Sequence, residues 1–371
     1  MALAGVVPVR RLIPGWIQWP QLDVPLLLGL LLLMAFGLVV LYSASGENVD
    51  VVYRQGIRLG VGLLVMLALS QVPPHILRIW TPWLYAVGVV LLLATWFAGV
   101  GRGAERWLDL GLFRFQPSEI MKLAVPMMLA WYLHPRRLPP EPVVLVVSCV
   151  ILVVPAVLIA RQPDLGTALL VAISGGFALF LSGLQWRVIL GMAGIAVAAA
   201  PALWMVMHEY QRNRVRTFLD PESDPLGSGW NIIQSKIAVG SGGLTGKGWL
   251  HGTQSRLEFI PERHTDFILA VLSEELGLIG VILLFSVYLF IVGRGLYVAS
   301  LARTTYARLL AGSLSLTFFV YVLVNAGMVS GLLPVVGVPL PLISYGGTSI
   351  VTLLAGFGIL MSIYGHRNFI R

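Results

Sequence analysis

Three carboxylates, each followed by a long apolar run, are the residues of this chain whose types and placement could do chemistry. Glu119 stands in Gln116-Pro117-Ser118-Glu119, Asp164 in Gln162-Pro163-Asp164-Leu165-Gly166-Thr167, and Asp266 in His264-Thr265-Asp266-Phe267. Helix capping accounts for any one of them, because an acid suits the start of a helix and proline its first turn. Three such acids on one face point beyond capping, to proton transfer at a shared site. Lys122 lies one turn from Glu119 on the same side of its helix. A lysine in an apolar helix must be paired or face a polar chamber. The two residues are therefore either a self-neutralising packing pair or part of that site. Asp266 sits in the stretch Gly240 to Gly277, GSGGLTGKGWLHGTQSRLEFIPERHTDFILAVLSEELG, where charge gives way to an apolar run. Partial burial raises such a carboxyl pKa and neighbours such as Arg263 or Lys247 lower it. Once ionised, Asp266 could act as a general base.

The same stretch offers anion-binding parts. Gly240, Gly242, Gly243, Gly246 and Gly248 permit close backbone approach to a ligand, and with Lys247 they could form an anion nest. GGLTGKG is not a P-loop, since the spacing and the flanking strand are both missing. Arg212, Arg214 and Arg216 alternate in what reads as an extended or turn segment, either meeting phosphates or simply solvated. The six histidines form no i, i+4 pair and Cys149 is the only cysteine, so neither a metal-ligand cluster nor a disulfide framework is indicated.

The elements that must position these groups are membrane helices. The chain of 371 residues is 57% hydrophobic and 11% charged, with a mean hydropathy of +0.86. A soluble domain would carry about 25% charged residues. Apolar runs long enough to cross a bilayer fall at Val24–Tyr42, Ile57–Gln71, Ile76–Val100, Pro117–Leu133, Val143–Ala160, Leu165–Leu181, Val188–Met207, Asp266–Val292, Ala307–Val329 and Thr348–Tyr364. The predicted fold is an all-α polytopic membrane protein of about ten transmembrane helices in one domain over residues 1–371. A large outer loop, residues 208–265, separates helices seven and eight. Within it Trp230 to Val239 has apolar residues at helical spacing, as an amphipathic helix at the membrane interface would. Gly331 to Gly347 is apolar but broken by Pro334, Pro339 and Pro341, so it should line a cavity or lie re-entrant. Asn325 interrupts helix nine and is expected to bond a neighbouring helix.

Charge orients the bundle. With both termini inside, the cytoplasmic segments hold eleven arginines against Asp23 and Glu141, a net +9, while the outer face nets only +1. By raw count the outer face has more cations, but they are mixed with acids, as at a site. The short loop HPRRLPP supports the same orientation. Basic residues divided between two faces make nucleic acid a poor partner.

These segments together resemble the SEDS family of cell-wall polymerases, and nearest its elongation branch. The resemblance is carried by the Gly240–Gly277 stretch, GAERWLDLGLFRFQPSEIMKL, RQPDLGTA, YQRNRVRTFLDP and GVPLPLISYGGTS, which span nearly the whole chain. It implies polymerisation of lipid II into glycan strands at the outer face of the bacterial cytoplasmic membrane, beside a class B penicillin-binding protein that crosslinks them. It places the essential aspartate on Asp266 and supporting polar positions on Glu119, Lys122, Asp164 and Glu258. The implied reaction inverts the donor and releases undecaprenyl pyrophosphate, whose charge Lys122, Lys247, Arg212, Arg214 and Arg216 are candidates to stabilise. No cofactor is evident, although carboxylates and pyrophosphate could share a divalent ion such as Mg2+. A lipid II flippase is the alternative, but a transporter should spread polar groups through the membrane depth. Here intramembrane charge gathers at the outer ends, with only Glu274 and Glu275 deeper.

Overall fold

The computed structural model describes residues 22–98, 106–109, 114–207, 209–223, 228–256 and 262–366. Each apolar window contains one long helix: α1 (Val24–Ala44), α2 (Val49–Ser70), α3 (Pro74–Ala98), α4 (Pro117–Leu133), α5 (Pro142–Arg161), α6 (Leu165–Leu181) and α7 (Trp186–Val206) come first. The loop then folds as α8 (Glu209–Leu219), a 3-10 turn at Pro221–Ser223, α9 (Ser228–Ser241) and α10 (Thr253–Arg256). The long helices α11 (Ile268–Leu301), α12 (Thr305–Val329) and α13 (Thr348–Gly365) complete the bundle. Seven of these helices, α1, α2, α3, α5, α11, α12 and α13, are long and apolar enough to cross a membrane, while α4 and α6 have 17 residues each. Two short strands, β1 (Leu108–Asp109) and β2 (Arg114–Phe115), pair antiparallel between α3 and α4.

Local chemistry sets the helix ends. Asp23 Oδ1 accepts from Leu26 N at 3.0 Å to start α1, and the same carboxylate receives Arg294 Nε of α11 at 2.9 Å. Asn48 Oδ1 accepts from Asp50 N and Val51 N, so α2 begins well before its apolar window. Apolar residues point both ways. Leu26, Leu30 and Leu33 are buried inside, whereas Leu28, Leu32 and the Val143, Val146, Val150 row of α5 are exposed, as they should be when hydrocarbon is the solvent. Small residues let α2 and α13 approach closely, and a Cβ at Gly358 would come within 2.6 Å of the Met66 carbonyl oxygen.

The eighth window is not one continuous rod. Gly277 breaks α11 with φ 64° and ψ −163°, leaving residues 278–301, about 36 Å of helix, to cross the membrane. Residues 267–275, before the break, are all buried in protein. The glycine-rich loop fills the gap. Lys247 N and Gly248 N donate to the carbonyls of Glu274 and Glu275 at 3.0 and 2.9 Å, while Leu278 N and Ile279 N donate to Gly243 O and Leu244 O at 3.0 and 3.1 Å. The helix break therefore leaves few orphaned groups, which buried backbone could not tolerate. Gly242 and Gly246 of the loop serve this splice: side chains there or at Gly277 would collide with the backbone across the joint. Gly246 also has φ +77°. Gly246→Ala is expected to cost more than about 2 kcal/mol, combining left-handed strain with a broken joint. Gly240→Ala, which meets nothing within 4 Å, should be neutral or slightly stabilising in its helix. Thermal unfolding in detergent compares the two.

The loop's helices also differ in part from expectation. The Arg212, Arg214, Arg216 segment is the helix α8, not extended or turn backbone, so its three arginines do not share a face. The helix at Trp230 to Val239 is present within α9. It packs inward, burying Ile232 and Ala238 and bonding Ser235 Oγ to Val329 O at 3.0 Å, while Ile237 and Val239 face outward.

Candidate active site

The starts of α4 and α6 line a cavity of about 270 Å³. Its walls include Arg106, Gln116, Glu119, Lys122, Asp164, Arg214 and Tyr321, and the proline-broken segment from Val336 to Leu342 closes one side. Glu119 and Lys122 share a bond of 2.7 Å and are nearly fully buried. Tyr321 stacks near the ammonium, 5.4 Å from ring centroid to Nζ. Glu119 Oε2 has no hydrogen-bond partner. Such an oxygen is costly unless something donates to it.

Asp164 shows why capping and a site role are compatible. Its Oδ1 caps α6 by accepting from Thr167 N at 3.1 Å. Its Oδ2 faces the cavity, where it accepts from Gln116 Nε2 at 3.1 Å with Arg106 Nη1 at 3.7 Å. Arg106 is anchored in turn by the carbonyls of Gln162 and Pro163.

Asp266 lies in the turn just before α11, and its carboxylate sits against Gly337 of the cavity wall. A Cβ at Gly337 would sit 3.5 Å from Asp266 Oδ2, and that glycine has φ +75°. Its backbone is held from three sides. Asn325, fully buried, donates through Nδ2 to Asp266 O and to Val338 O, both at 2.8 Å. Ser344 Oγ donates to Thr265 O at 2.6 Å, and Tyr345 N to His264 O at 2.9 Å. Burial pushes the Asp266 carboxyl up to about 6, with Glu262 adding to the rise and Arg214 opposing it. A base with that value is ionised at neutral pH yet basic enough to take a proton.

The structure brings Glu119, Lys122, Asp164 and Arg214 to one chamber with Asp266 at its edge. Other candidates lie elsewhere. Arg212 bonds the carbonyls of Trp204 and Met205 at the end of α7 and pairs with Glu209, and Arg216 also pairs with Glu209, at 2.8 Å. Lys247 Nζ binds Glu274 Oε1 at 2.7 Å in the splice and does not line the cavity. Glu258 falls outside the described residues. Sequence reasoning missed the roles of Arg106, Gln116 and Tyr321: Gln116 stands in the motif of Glu119, but Arg106 and Tyr321 are far in sequence from the acids they meet. It gave Asn325 a structural part without finding that its partner is Asp266.

Fold and cavity together define a helical membrane protein with a charged chamber. The family model for FtsW, RodA and SpoVE cell cycle proteins matches residues 24–368, and the chain belongs to that family. It is 55% identical over 351 residues to the peptidoglycan glycosyltransferase MrdB of Escherichia coli strain K12, covering 94% of this chain and 95% of that protein. It is 36% identical over 357 residues to a probable peptidoglycan glycosyltransferase FtsW of Trichlorobacter lovleyi, covering 92% and 93%. Among solved structures, a chain of a peptidoglycan synthase complex that coordinates polymerization and crosslinking matches with a TM-score of 0.82 and 33% identity, over 94% of this chain and 99% of that one. The rod shape determining protein RodA of Thermus thermophilus matches with a TM-score of 0.72 and 28% identity, over 96% and 99%.

Proposed function

We propose that the chain is a peptidoglycan glycosyltransferase of cell elongation that polymerises lipid II into glycan strands. The observation carrying the mechanism is the carboxylate of Asp266, raised by burial and set at the edge of a chamber whose other walls bear Arg106, Lys122 and Arg214. Asp266 takes the proton from the 4-hydroxyl of an acceptor sugar as that oxygen attacks C1 of the donor. The donor's bond to pyrophosphate breaks on the opposite face, so configuration inverts. The leaving undecaprenyl pyrophosphate gains negative charge, which the three cations stabilise where water is scarce.

A divalent ion bound beside that pyrophosphate would add the same kind of stabilisation. Glu119 Oε2, which has no partner, is the oxygen this chain offers it. Among the described residues no cluster of three or more His, Cys, Asp or Glu side chains forms a site prepared for metal without substrate. The charge asymmetry between the two faces supports cytoplasmic termini and a chamber opening outward. A class B penicillin-binding protein is the proposed partner, on the strength of the synthase complex for polymerization and crosslinking, one chain of which this one resembles.

Purified chain, with and without a cognate transpeptidase and with and without EDTA, should convert labelled lipid II into glycan polymer. A flippase or a non-catalytic scaffold would make none under any of these conditions.

A further inference from the structure

We propose that Gln55, on the peripheral helix α2, is a positioning residue for Asp266 and acts through the turn from Ser344 to Gly346. The inference rests on the reading of Asp266 as the base.

Gln55 is 1% exposed, although α2 presents Tyr53, Ile57 and Leu64 outward. A buried amide in an otherwise lipid-facing helix has to find partners in protein. Both ends of this one find the same turn: Nε2 donates to Ser344 O at 2.9 Å, and Oε1 accepts from Gly346 N at 3.3 Å. Arg58, one turn further along α2, donates to Gly346 O at 3.2 Å and lies 4.4 Å over the Tyr345 ring. The turn in turn grips the catalytic segment. Ser344 Oγ accepts from Leu340 N at 2.8 Å and donates to Thr265 O at 2.6 Å, and Tyr345 N reaches His264 O at 2.9 Å. One bonded path therefore runs from α2 through the cavity wall to the residue adjoining Asp266. Gln55 is not one of the residues lining the cavity, so its effect on chemistry has to be one of placement.

Placement and titration are linked. The charged and titratable groups around Asp266 are Glu262 on its own segment and Arg214 from α8, with Arg106, the Glu119–Lys122 pair and Asp164 on the cavity wall, and His264 and Arg58 against Tyr345. Burial is the largest cause of its raised value. A loosened turn lets water in, so the carboxyl should fall back toward its ordinary 3.8.

The test uses full-length protein and labelled lipid II. Gln55→Leu should lower kcat by about tenfold or more, since misplacement of a catalytic group by an ångström can cost about a hundredfold, with a smaller change in KM. The acid limb of its pH–rate profile should move to lower pH. Ser344→Ala cuts the same path at its other end and should give the same displacement, and the double variant should add little to either single change. Should Gln55→Leu not fold, Ser344→Ala alone decides. A purely structural role would reduce the amount of folded enzyme and leave the limb in place. Limbs at the wild-type pH in both variants overturn the proposal. Polymer made by Asp266→Asn, or a wild-type profile without an acid limb, would overturn the reading of Asp266 and the proposal with it.

Discussion

Asp266→Asn is expected to abolish glycan polymerisation, with a loss of at least about 10³-fold, within the range general bases contribute. The amide keeps the size of the side chain and cannot take a proton. Because the carboxyl is raised to about 6, wild-type kcat should fall as pH drops through that value, where the base becomes protonated and idle. Stability should move the other way. A carboxyl whose folded value exceeds its ordinary 3.8 favours the fold below about pH 4 and loses that contribution as pH rises through 6. At pH 7.5 the buried charge therefore costs the fold at most about 3 kcal/mol, which the neutral asparagine avoids. The variant should accordingly unfold at a higher temperature while making no polymer. Lower activity together with lower stability would mean that the residue is structural. Full activity would remove it from the reaction.

Breaking the pair on α4 should have the second largest effect. Lys122→Met leaves Glu119 buried with neither oxygen paired, and Glu119→Gln leaves the buried ammonium with a neutral amide oxygen and the Tyr321 ring but no counter-charge. Each single change should cost about 3–5 kcal/mol, the usual penalty for stranding one member of a buried pair. The double variant replaces both charges and should regain most of the loss, as measured by thermal unfolding. Polymerisation separates the two meanings of the pair. If Lys122 serves the leaving pyrophosphate, the double variant stays inactive despite its recovered stability. Recovered activity would make the pair packing alone.

The bundle was legible because membrane helices announce themselves locally: each apolar window holds its helix, and Pro117 and Asp164 mark starts that the structure keeps. The break at Gly277 was not legible. A glycine in an apolar run looks like any other, and the groups that complete the joint come from Gly243, Leu244, Lys247 and Gly248, some thirty residues earlier in the chain. The same non-local bonding hid the partner of Lys247, Glu274, which lies across the joint. With the arginines the obstacle was geometry. Alternate residues share a face in a strand and diverge in a helix, so only Arg214 of the three lines the chamber. Asn325 was visible as a polar intruder, but nothing in its neighbourhood names the carbonyl it holds.

The interrupted α11 also bears on how the protein meets bilayers of different thickness. Hydrophobic mismatch acts on surfaces that touch lipid, and a spanning rod commonly responds by tilting. Here the rod that touches lipid is residues 278–301, while residues 267–275 before the break are enclosed by protein. The backbone bonds that Gly243, Leu244, Lys247 and Gly248 make across the break tie the enclosed piece to the loop, so the depth of Asp266 is set by the protein around it and not by the length of the helix that lipid touches.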